Sequence, residues 1–568
     1  MSNTDKLHVR MLADLCAAYG MRKVVISPGS RNAPLIMAFY NQPEIECYII
    51  PDERSAAYFA MGIAQCSNHP VGLVCTSGTA ALNYMPALAE AYYQQLPLVA
   101  ITADRPPEWI DQGDGQTINQ TGIYNNFTIY QTQLPVEAKS RHELWQMERQ
   151  VRDGFVMSAR KSKPIHFNVP LREPLYNIVK QNGTPKASFI HDNFKPVLSN
   201  HPLLNELKQY DKIMLVFGMK RPNAVLYGLM EQLAARKDVV VFCENLSNLA
   251  VSGVFQMSDT LFSANQGNSM NELIPDIIIS FGDMILSKPL KQWIRSLENT
   301  KRLVVSQEDQ VPDVFQGIDG IINIDTEGFI KSLLATKKDS STDYVDSWVR
   351  AYKAVSKLHK EYTGSVQWSD LEVFKVLSEM VPDNSIVHFG NSSPVRYAQF
   401  FNWKKGIQFF GNRGTSGIDG AASTAIGMAS QTDKLVTLIT GDVGFLYDSN
   451  ALWNDYKKKN FRIIVINNKG GNIFSLIGGP QSSDIMNKYF ATHVPVSIEY
   501  LCKAYGIGYY VANNEQESQV SIEALYNDPA CALLEVKTDP DVNTRVWKEY
   551  FMMIKNKFRY DQETVEKD

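Results

Sequence analysis

The 568-residue chain predicts an α/β protein of three doubly wound, mostly parallel-sheet domains. The first ground is the form of its apolar runs, which are short, continuous and rich in Val and Ile. A strand buried on both faces needs apolar side chains at every position, and parallel sheets are buried on both faces by their crossover helices. The second is that helical stretches separate these runs. The third is that polar stretches near 181–200 and at Lys337–Asp343 cut the series into three blocks.

The first block, residues 1–180, opens with Leu7, Met11, Leu15 and Ala18 on one helical face. Thr4 or Asp5 is the expected cap and Gly20 the stop. Strand-like Val24–Ile26 enters Ser27-Pro28-Gly29-Ser30-Arg31, and Ile45–Ile50 enters Asp52-Glu53-Arg54-Ser55-Ala56-Ala57. Val71–Cys75 meets a Ser77-Gly78 turn, a helical stretch runs to Tyr93, and strands Leu98–Thr102 and Ile165–Val169 complete the block. The second block, 190–340, has strands at Ile213–Phe217, Val239–Cys243, Ile277–Phe281 and Leu303–Val305. The third, 350–568, has them at Ile386–Phe389, Leu435–Ile439, Ile463–Ile466 and Leu533–Val536. No short-period repeat or low-complexity tract interrupts the order.

Composition excludes several classes of function. Lys and Arg number 56 and Asp and Glu 60, a net charge of −4. Such a chain has no global field for nucleic acid or an anionic membrane, so any anion must be held by a local cationic cluster. The apolar stretches are strand-sized, far short of the roughly 18 residues of a membrane span, and no membrane insertion is expected. Asp5, Lys6, His8 and Arg10 break any secretory-type run at the start. The seven cysteines are scattered and never form Cys-x-x-Cys, which suits a reducing, cytoplasmic setting. The nine histidines lack the His-Glu-x-x-His spacing of a helix-borne zinc site.

Ligands of open α/β sheets sit beyond the carboxyl ends of the strands. There is no Gly-Lys dipeptide for a Walker loop, no Gly-x-Gly-x-x-Gly continuing from Gly113 or Gly506, and no Gly-x-Ser-x-Gly elbow. Instead, Leu435–Ile439 runs into Gly441-Asp442-Val443-Gly444, and Ile463–Ile466 into Asn467-Asn468-Lys469-Gly470-Gly471. A carboxylate and an amide oxygen from two strand ends suit Mg²⁺, which takes oxygen ligands and shares them with phosphate. The glycines let backbone N–H groups approach a diphosphate. Two glycine-rich turns with a capping Asp would give the same string. Glu53, likewise, is either a functional carboxyl or an acid favoured by a helix N-terminus.

The Gly-Asp…Asn-Asn pattern resembles the diphosphate and Mg²⁺ motif of thiamine-diphosphate enzymes, with Val443 standing where a second Gly is usual. Further strings narrow the resemblance: Ser27-Pro28-Gly29-Ser30-Arg31-Asn32-Ala33-Pro34-Leu35, Thr76-Ser77-Gly78-Thr79-Ala80, Thr102-Ala103-Asp104-Arg105-Pro106-Pro107-Glu108 and Gly411-Asn412-Arg413-Gly414-Thr415-Ser416-Gly417-Ile418-Asp419-Gly420. With Asp52–Ala56 and Asn467–Phe474, they closely resemble the 2-succinyl-5-enolpyruvyl-6-hydroxy-3-cyclohexene-1-carboxylate synthases of menaquinone biosynthesis. The likeness spans all three blocks and is weakest in the middle one.

The resemblance implies a pyrimidine-binding domain at 1–180, a central α/β domain at 190–340 and a diphosphate-binding domain at 350–568. It implies decarboxylation of 2-oxoglutarate on thiamine diphosphate and conjugate addition of the succinyl carbanion equivalent to isochorismate. Glu53 would activate the aminopyrimidine ring. Ser392, Ile418, Gly441, Asp442 and Asn468 would contact the cofactor, Ile418 propping its bent shape. Asp442, the Asn468 side chain and the Gly470 carbonyl would hold Mg²⁺, with Mn²⁺ as a substitute. Arg31 and Arg105 would face isochorismate, joined by Ser30, Gln116 and Lys288. Ser392, Arg396 and Arg413 would face the oxoglutarate-derived part, whose apolar wall is Ile473 and Phe474. Both substrates are dianions, and the planar fork of arginine binds carboxylates in pairs of hydrogen bonds. Two positions depart from the family pattern: Gly115 precedes Gln116 where Asn is common, and Pro289 follows Lys288 where a base is common, with Lys291 the available replacement. The acid and the metal motif lie in different domains, which implies a homodimer or homotetramer with active sites at the subunit interface. The alternatives are another thiamine-diphosphate 2-oxoacid decarboxylase or acetolactate-type synthase, and a non-catalytic paralogue.

Overall fold

The computed structural model describes residues 2–67, 69–180, 206–264, 271–282, 284–308, 310–336, 343–476, 489–491 and 494–558. The expected linker at 181–200 and residues 337–342 of the second boundary lie outside the described residues. A short antiparallel pair, β1 (Ser2–Thr4) and β8 (Ile178–Lys180), joins the two ends of the first block.

Between them, β2 (Lys23–Ile26), β3 (Glu46–Ile49), β4 (Val71–Cys75), β5 (Leu98–Asp104), β6 (Tyr130–Gln133) and β7 (Ile165–Pro170) form a parallel sheet in the order β3-β2-β4-β5-β7-β6. The central sheet contains β9 (Ile213–Phe217), β10 (Val239–Cys243), β11 (Ile277–Ser280), β12 (Lys301–Val305) and β13 (Gly320–Ile322), ordered β10-β9-β11-β12-β13. The last sheet has β14 (Ile386–Phe389), β15 (Gln408–Gly411), β16 (Val436–Gly441), β17 (Phe461–Asn467), β18 (Gly508–Ala512) and β19 (Ala532–Lys537), ordered β15-β14-β16-β17-β19-β18. All pairings in these three sheets are parallel. Numbered within themselves, the first and last sheets have one strand order, so the chain contains the same doubly wound layout twice.

The helix following the second strand of each layout is where the two halves meet. Helix Glu53–Cys66 and helix Ala421–Ala429 are built from small residues and are almost wholly buried. Their backbones approach closely at two equivalent points. A methyl group on Gly62 would lie 2.0 Å from the Thr424 carbonyl oxygen, and one on Gly427 would lie 2.1 Å from that of Phe59. Ala56, Ala57, Ala60, Ala421, Ala422 and Ala425 line one core with Phe59 and Ile426. The central sheet leans on the last block: Trp348, in helix Tyr344–Thr363, meets Phe242 edge-on at 5.0 Å between centroids.

Three local expectations change. The first helix, Leu7–Ala18, is preceded by Lys6 with no side-chain cap, because Thr4 is already in β1 and its hydroxyl accepts only from the Lys6 N–H. The helical stretch ending near Tyr93 is two helices, Thr79–Leu82 and Met85–Gln94. Pro86 lacks the N–H that would continue the first helix, and it sits in the opening turn of the second. In the three parallel sheets four strands, β6, β13, β15 and β18, arise where no apolar run announced one, and each is at the margin of its sheet; the short pair β1 and β8 was unannounced too. No helix among the described residues is long and apolar enough to cross a membrane, and all seven cysteines are free thiols.

Candidate active site

The rim of the last sheet gathers the proposed metal ligands. β16 ends at Gly441, and Asp442 is the first residue of helix Asp442–Tyr447, where the helix dipole favours an acid. Its Oδ1 accepts from the Val443 N–H at 2.8 Å and its Oδ2 from the Gly470 N–H at 2.8 Å. That second bond ties the turn after β17 to the turn after β16. Lys469, Gly470 and Gly471 all have positive φ (62°, 107° and 76°), so the chain reverses sharply here and needs its glycines. Burial pushes the Asp442 carboxyl up to about 6, its two backbone hydrogen bonds oppose that, and buried Asp370 adds to it.

Asn468, just beyond β17, donates from Nδ2 to Asp370 Oδ2 at 2.9 Å, which turns its amide oxygen the other way. A methyl group on Gly441 would meet nothing within 4 Å, so there is room beside this backbone for a ligand. A buried acid whose pKa burial raises, an oriented amide and a tight glycine turn fit a cation that carries a diphosphate. Among the described residues no group of three or more His, Cys, Asp or Glu side chains could hold a metal, so a metal here would depend on amide and carbonyl oxygens. Ile418 lies beside the helix that Asp442 opens: its Cβ would be 3.9 Å from a methyl group on Gly444. Ser392, between β14 and helix Ser393–Tyr397, adopts φ 76°, ψ −125°, a strained conformation for a residue with a side chain.

Arginines converge in two places. Arg31, only 4% exposed, donates to the Leu171 carbonyl at 3.1 Å and to Glu173 Oε1 at 3.1 Å. Arg105 pairs with Asp114 at 3.0 Å, reaches the same Glu173 at 3.9 Å and donates to the Gly115 carbonyl at 3.1 Å. Burial and the neighbouring Arg105 charge both lower the Arg31 pKa. Gln116 follows at φ 55°, exposed, its backbone against Ser77 and Gly78. Ser30 is also exposed. At the last sheet, Arg413 donates to Asn391 Oδ1 at 2.8 Å, while Asn391 itself is held by the carbonyls of Asn412 and Gly417. Arg396 acts electrostatically on Arg413, and both act on Lys291. The Nε atoms of Arg105 and of Arg396 are buried without a hydrogen-bond partner, one in each set.

Glu53 begins helix Glu53–Cys66, whose N-cap, Asp52, accepts from the Arg54 and Ser55 N–H groups. The other Asp52 oxygen accepts from Asn450 Nδ2 at 2.7 Å, and Arg54 donates to the Tyr447 carbonyl at 2.8 Å. The Glu53 carboxyl is half-buried, and burial raises its pKa. Lys288 opens helix Lys288–Ser296 with its side chain exposed, while Lys291 is half-buried. Ile473 packs at the edge of the core, and the Phe474 ring lies 5.6 Å from that of Phe490.

Comparison with known proteins bears directly on this geometry. Residues 8–123 match the family described as thiamine pyrophosphate enzyme, N-terminal TPP binding domain, and residues 390–536 match its C-terminal TPP binding domain. The protein named 2-succinyl-5-enolpyruvyl-6-hydroxy-3-cyclohexene-1-carboxylate synthase in Christiangramia forsetii is 38% identical, over 96% of this chain and 98% of its own. Proteins of the same name in Flavobacterium johnsoniae (37%, 95% and 97%) and Porphyromonas gingivalis (36%, 97% and 98%) match as fully. The chain belongs to this synthase family. It is a thiamine-diphosphate enzyme, and its two cofactor-binding matches fall on the two sheets that share one strand order.

Three residues of this synthase-family site escape a reading of the sequence. Glu173 sits between Arg31 and Arg105. Asp370 holds Asn468. Glu244, after β10, is buried, accepts from the Leu286 and Ser287 N–H groups at 2.8 and 2.7 Å, and is felt by Arg413 and Lys291. Burial, ahead of its hydrogen bonds, pushes its carboxyl up to about 7. None of the three lies in a glycine-rich string, so no local signal marks them.

Proposed function

We propose that this chain makes 2-succinyl-5-enolpyruvyl-6-hydroxy-3-cyclohexene-1-carboxylate from 2-oxoglutarate and isochorismate with release of CO₂; the product is the one that the names of its relatives state for them. The observation that carries the substrate assignment is the pair of arginine sets, each with a buried, unpartnered Nε. A dianionic donor and a dianionic acceptor need two such sets; a simple decarboxylase needs one. Thiamine diphosphate, when bound, supplies a nucleophilic carbon and an electron sink for the decarboxylation.

The remaining roles belong to the chain. Asp442, Asn468 and the Gly470 carbonyl hold Mg²⁺, or Mn²⁺ in its place. Glu53 hydrogen-bonds the pyrimidine ring through a half-buried carboxyl whose pKa burial raises. Arg396 and Arg413, with Ser392, bind the carboxylates of 2-oxoglutarate. Arg31 and Arg105, with Ser30 and Gln116, receive isochorismate, whose carboxylates take over from Glu173 as their partner. Lys288 contributes an exposed charge, and Lys291 the half-buried one that Pro289 leaves missing. Ile473 and Phe474 keep water from the reacting carbon. Glu53 and Asp442 stand on different sheets, so we assign the working enzyme to a homodimer or homotetramer in the cytoplasm, with each centre shared by two subunits.

The test is an assay of product and CO₂ with 2-oxoglutarate, isochorismate, Mg²⁺ and thiamine diphosphate, omitting each in turn. Every omission abolishes product, and Glu53→Gln lowers CO₂ release by about 10²-fold or more. Turnover without thiamine diphosphate, or a Glu53→Gln enzyme at the parental rate, overturns the proposal.

A further inference from the structure

Asp370 has no place in the chemistry above, yet it is the most elaborately held carboxylate beside the diphosphate turn. It is the first residue of helix Asp370–Met380 and is 0% exposed. Its Oδ1 accepts from Thr538 Oγ1 at 2.6 Å and its Oδ2 from Asn468 Nδ2 at 2.9 Å. Its own N–H donates to Asn543 Oδ1 at 2.7 Å, and Asn543 Nδ2 returns to Thr538 Oγ1 at 3.1 Å. Asn543 and Asn468 are 0% and 3% exposed, so water cannot replace these bonds cheaply.

An asparagine presents either an oxygen or an NH₂ group to a neighbour, and only the oxygen can ligate a cation. A carboxylate accepts hydrogen bonds and cannot donate them, so Asp370 selects one of the two orientations of Asn468. The Thr538–Asn543 pair prevents Asp370 from turning away. The geometry points to Asp370 as a positioning residue that holds the Asn468 amide oxygen toward the divalent cation and its NH₂ group away from it. This rests on the assignment of Asp442, Asn468 and Gly470 as cation ligands. The Asp370 charge also acts on Asp442, so the second acid strengthens the field that a cation meets there.

The test uses full-length protein with thiamine diphosphate and follows Mn²⁺ binding by electron paramagnetic resonance, alongside the Mn²⁺-dependent rise in melting temperature. Asp370→Asn keeps the volume and loses the obligatory acceptor; Mn²⁺ binding is expected to weaken about 10- to 100-fold, in line with other residues that orient metal ligands. Asn468→Asp should also bind poorly, because two carboxylates then face each other. The exchanged pair, Asp370→Asn with Asn468→Asp, restores one donor and one acceptor and should recover most of the affinity. A purely structural role for Asp370 predicts no such rescue. Parental Mn²⁺ affinity in Asp370→Asn, or an exchanged pair no better than either single variant, overturns the inference while leaving the site intact. Asp442→Ala separates the two levels: if it binds Mn²⁺ like the parent, the cation site itself is wrong and the inference falls with it.

Discussion

Gly427→Ala tests the contact that joins the two halves of the chain. The added methyl group would sit 2.1 Å from the Phe59 carbonyl oxygen and 2.8 Å from its carbonyl carbon, where ordinary contact begins at 3.4 Å. The helices must part by about 1.3 Å at that point, and the obstacle is backbone, which has no rotamer to change. Overpacking of a tight core costs about 1–3 kcal/mol, and a rigid obstacle puts this case near 3. Alanine returns about 1 kcal/mol through its better helix propensity, leaving a net loss near 2 kcal/mol. Thermal unfolding of the purified protein should fall by roughly 4–8 °C. Gly228→Ala is the control, since a methyl group there meets nothing within 4 Å in helix Ala224–Leu233. It should melt at or slightly above the parental temperature. A Gly427→Ala protein as stable as the parent, with Gly228→Ala unchanged, would refute the close-packing argument.

The other predictions concern charge. Glu244 is raised from 4.5 to about 7 by burial, so its contribution to stability is present below about pH 4.5 and is lost as the pH rises through about 7. Glu244→Gln, neutral throughout, should therefore gain on the parent by up to about 3 kcal/mol over that window in urea unfolding; a pH-independent difference would contradict the buried-acid assignment. Arg105→Ala should raise KM for isochorismate about 10- to 100-fold and leave CO₂ release from 2-oxoglutarate alone unaltered. Arg413→Ala should instead slow that CO₂ release by a similar factor; steady-state kinetics in each substrate reveal whether the two effects separate.

The buried strands were legible because their sequences say one thing at every position. β4, β9, β10 and β14 coincide with the apolar runs that announced them. β6 (Tyr-Gln-Thr-Gln) and β18 (Gly-Tyr-Tyr-Val-Ala) did not, because a marginal strand has one neighbour and a partly wet face. The functional strings were legible for a related reason: glycines, prolines and charged residues crowd the strand ends where a ligand must be approached closely. Asp370, Glu244 and Glu173 were not. Each acts through a partner far away in sequence, Asn468 for Asp370 and Arg31 for Glu173, and only folding brings them together. Lys288 and Lys291 show the same limit. Spacing offered both, and only the fold puts Lys291 beside the Arg396 and Arg413 charges.

The placement of Glu53 and Asp442 on the two copies of one sheet layout has a genetic consequence. In the shared-centre arrangement proposed above, a subunit lends its acid to one centre and its metal turn to another. Two inactive alleles, one lacking the acid and the other the metal turn, are then not equivalent to two failures. A mixed dimer of their products reunites an intact acid with an intact metal turn in one centre and confines both lesions to the other. Random pairing makes half the dimers mixed, so about a quarter of the centres would work. Alleles of this chain should accordingly sort into two complementing groups, divided by the sheet on which each lesion falls.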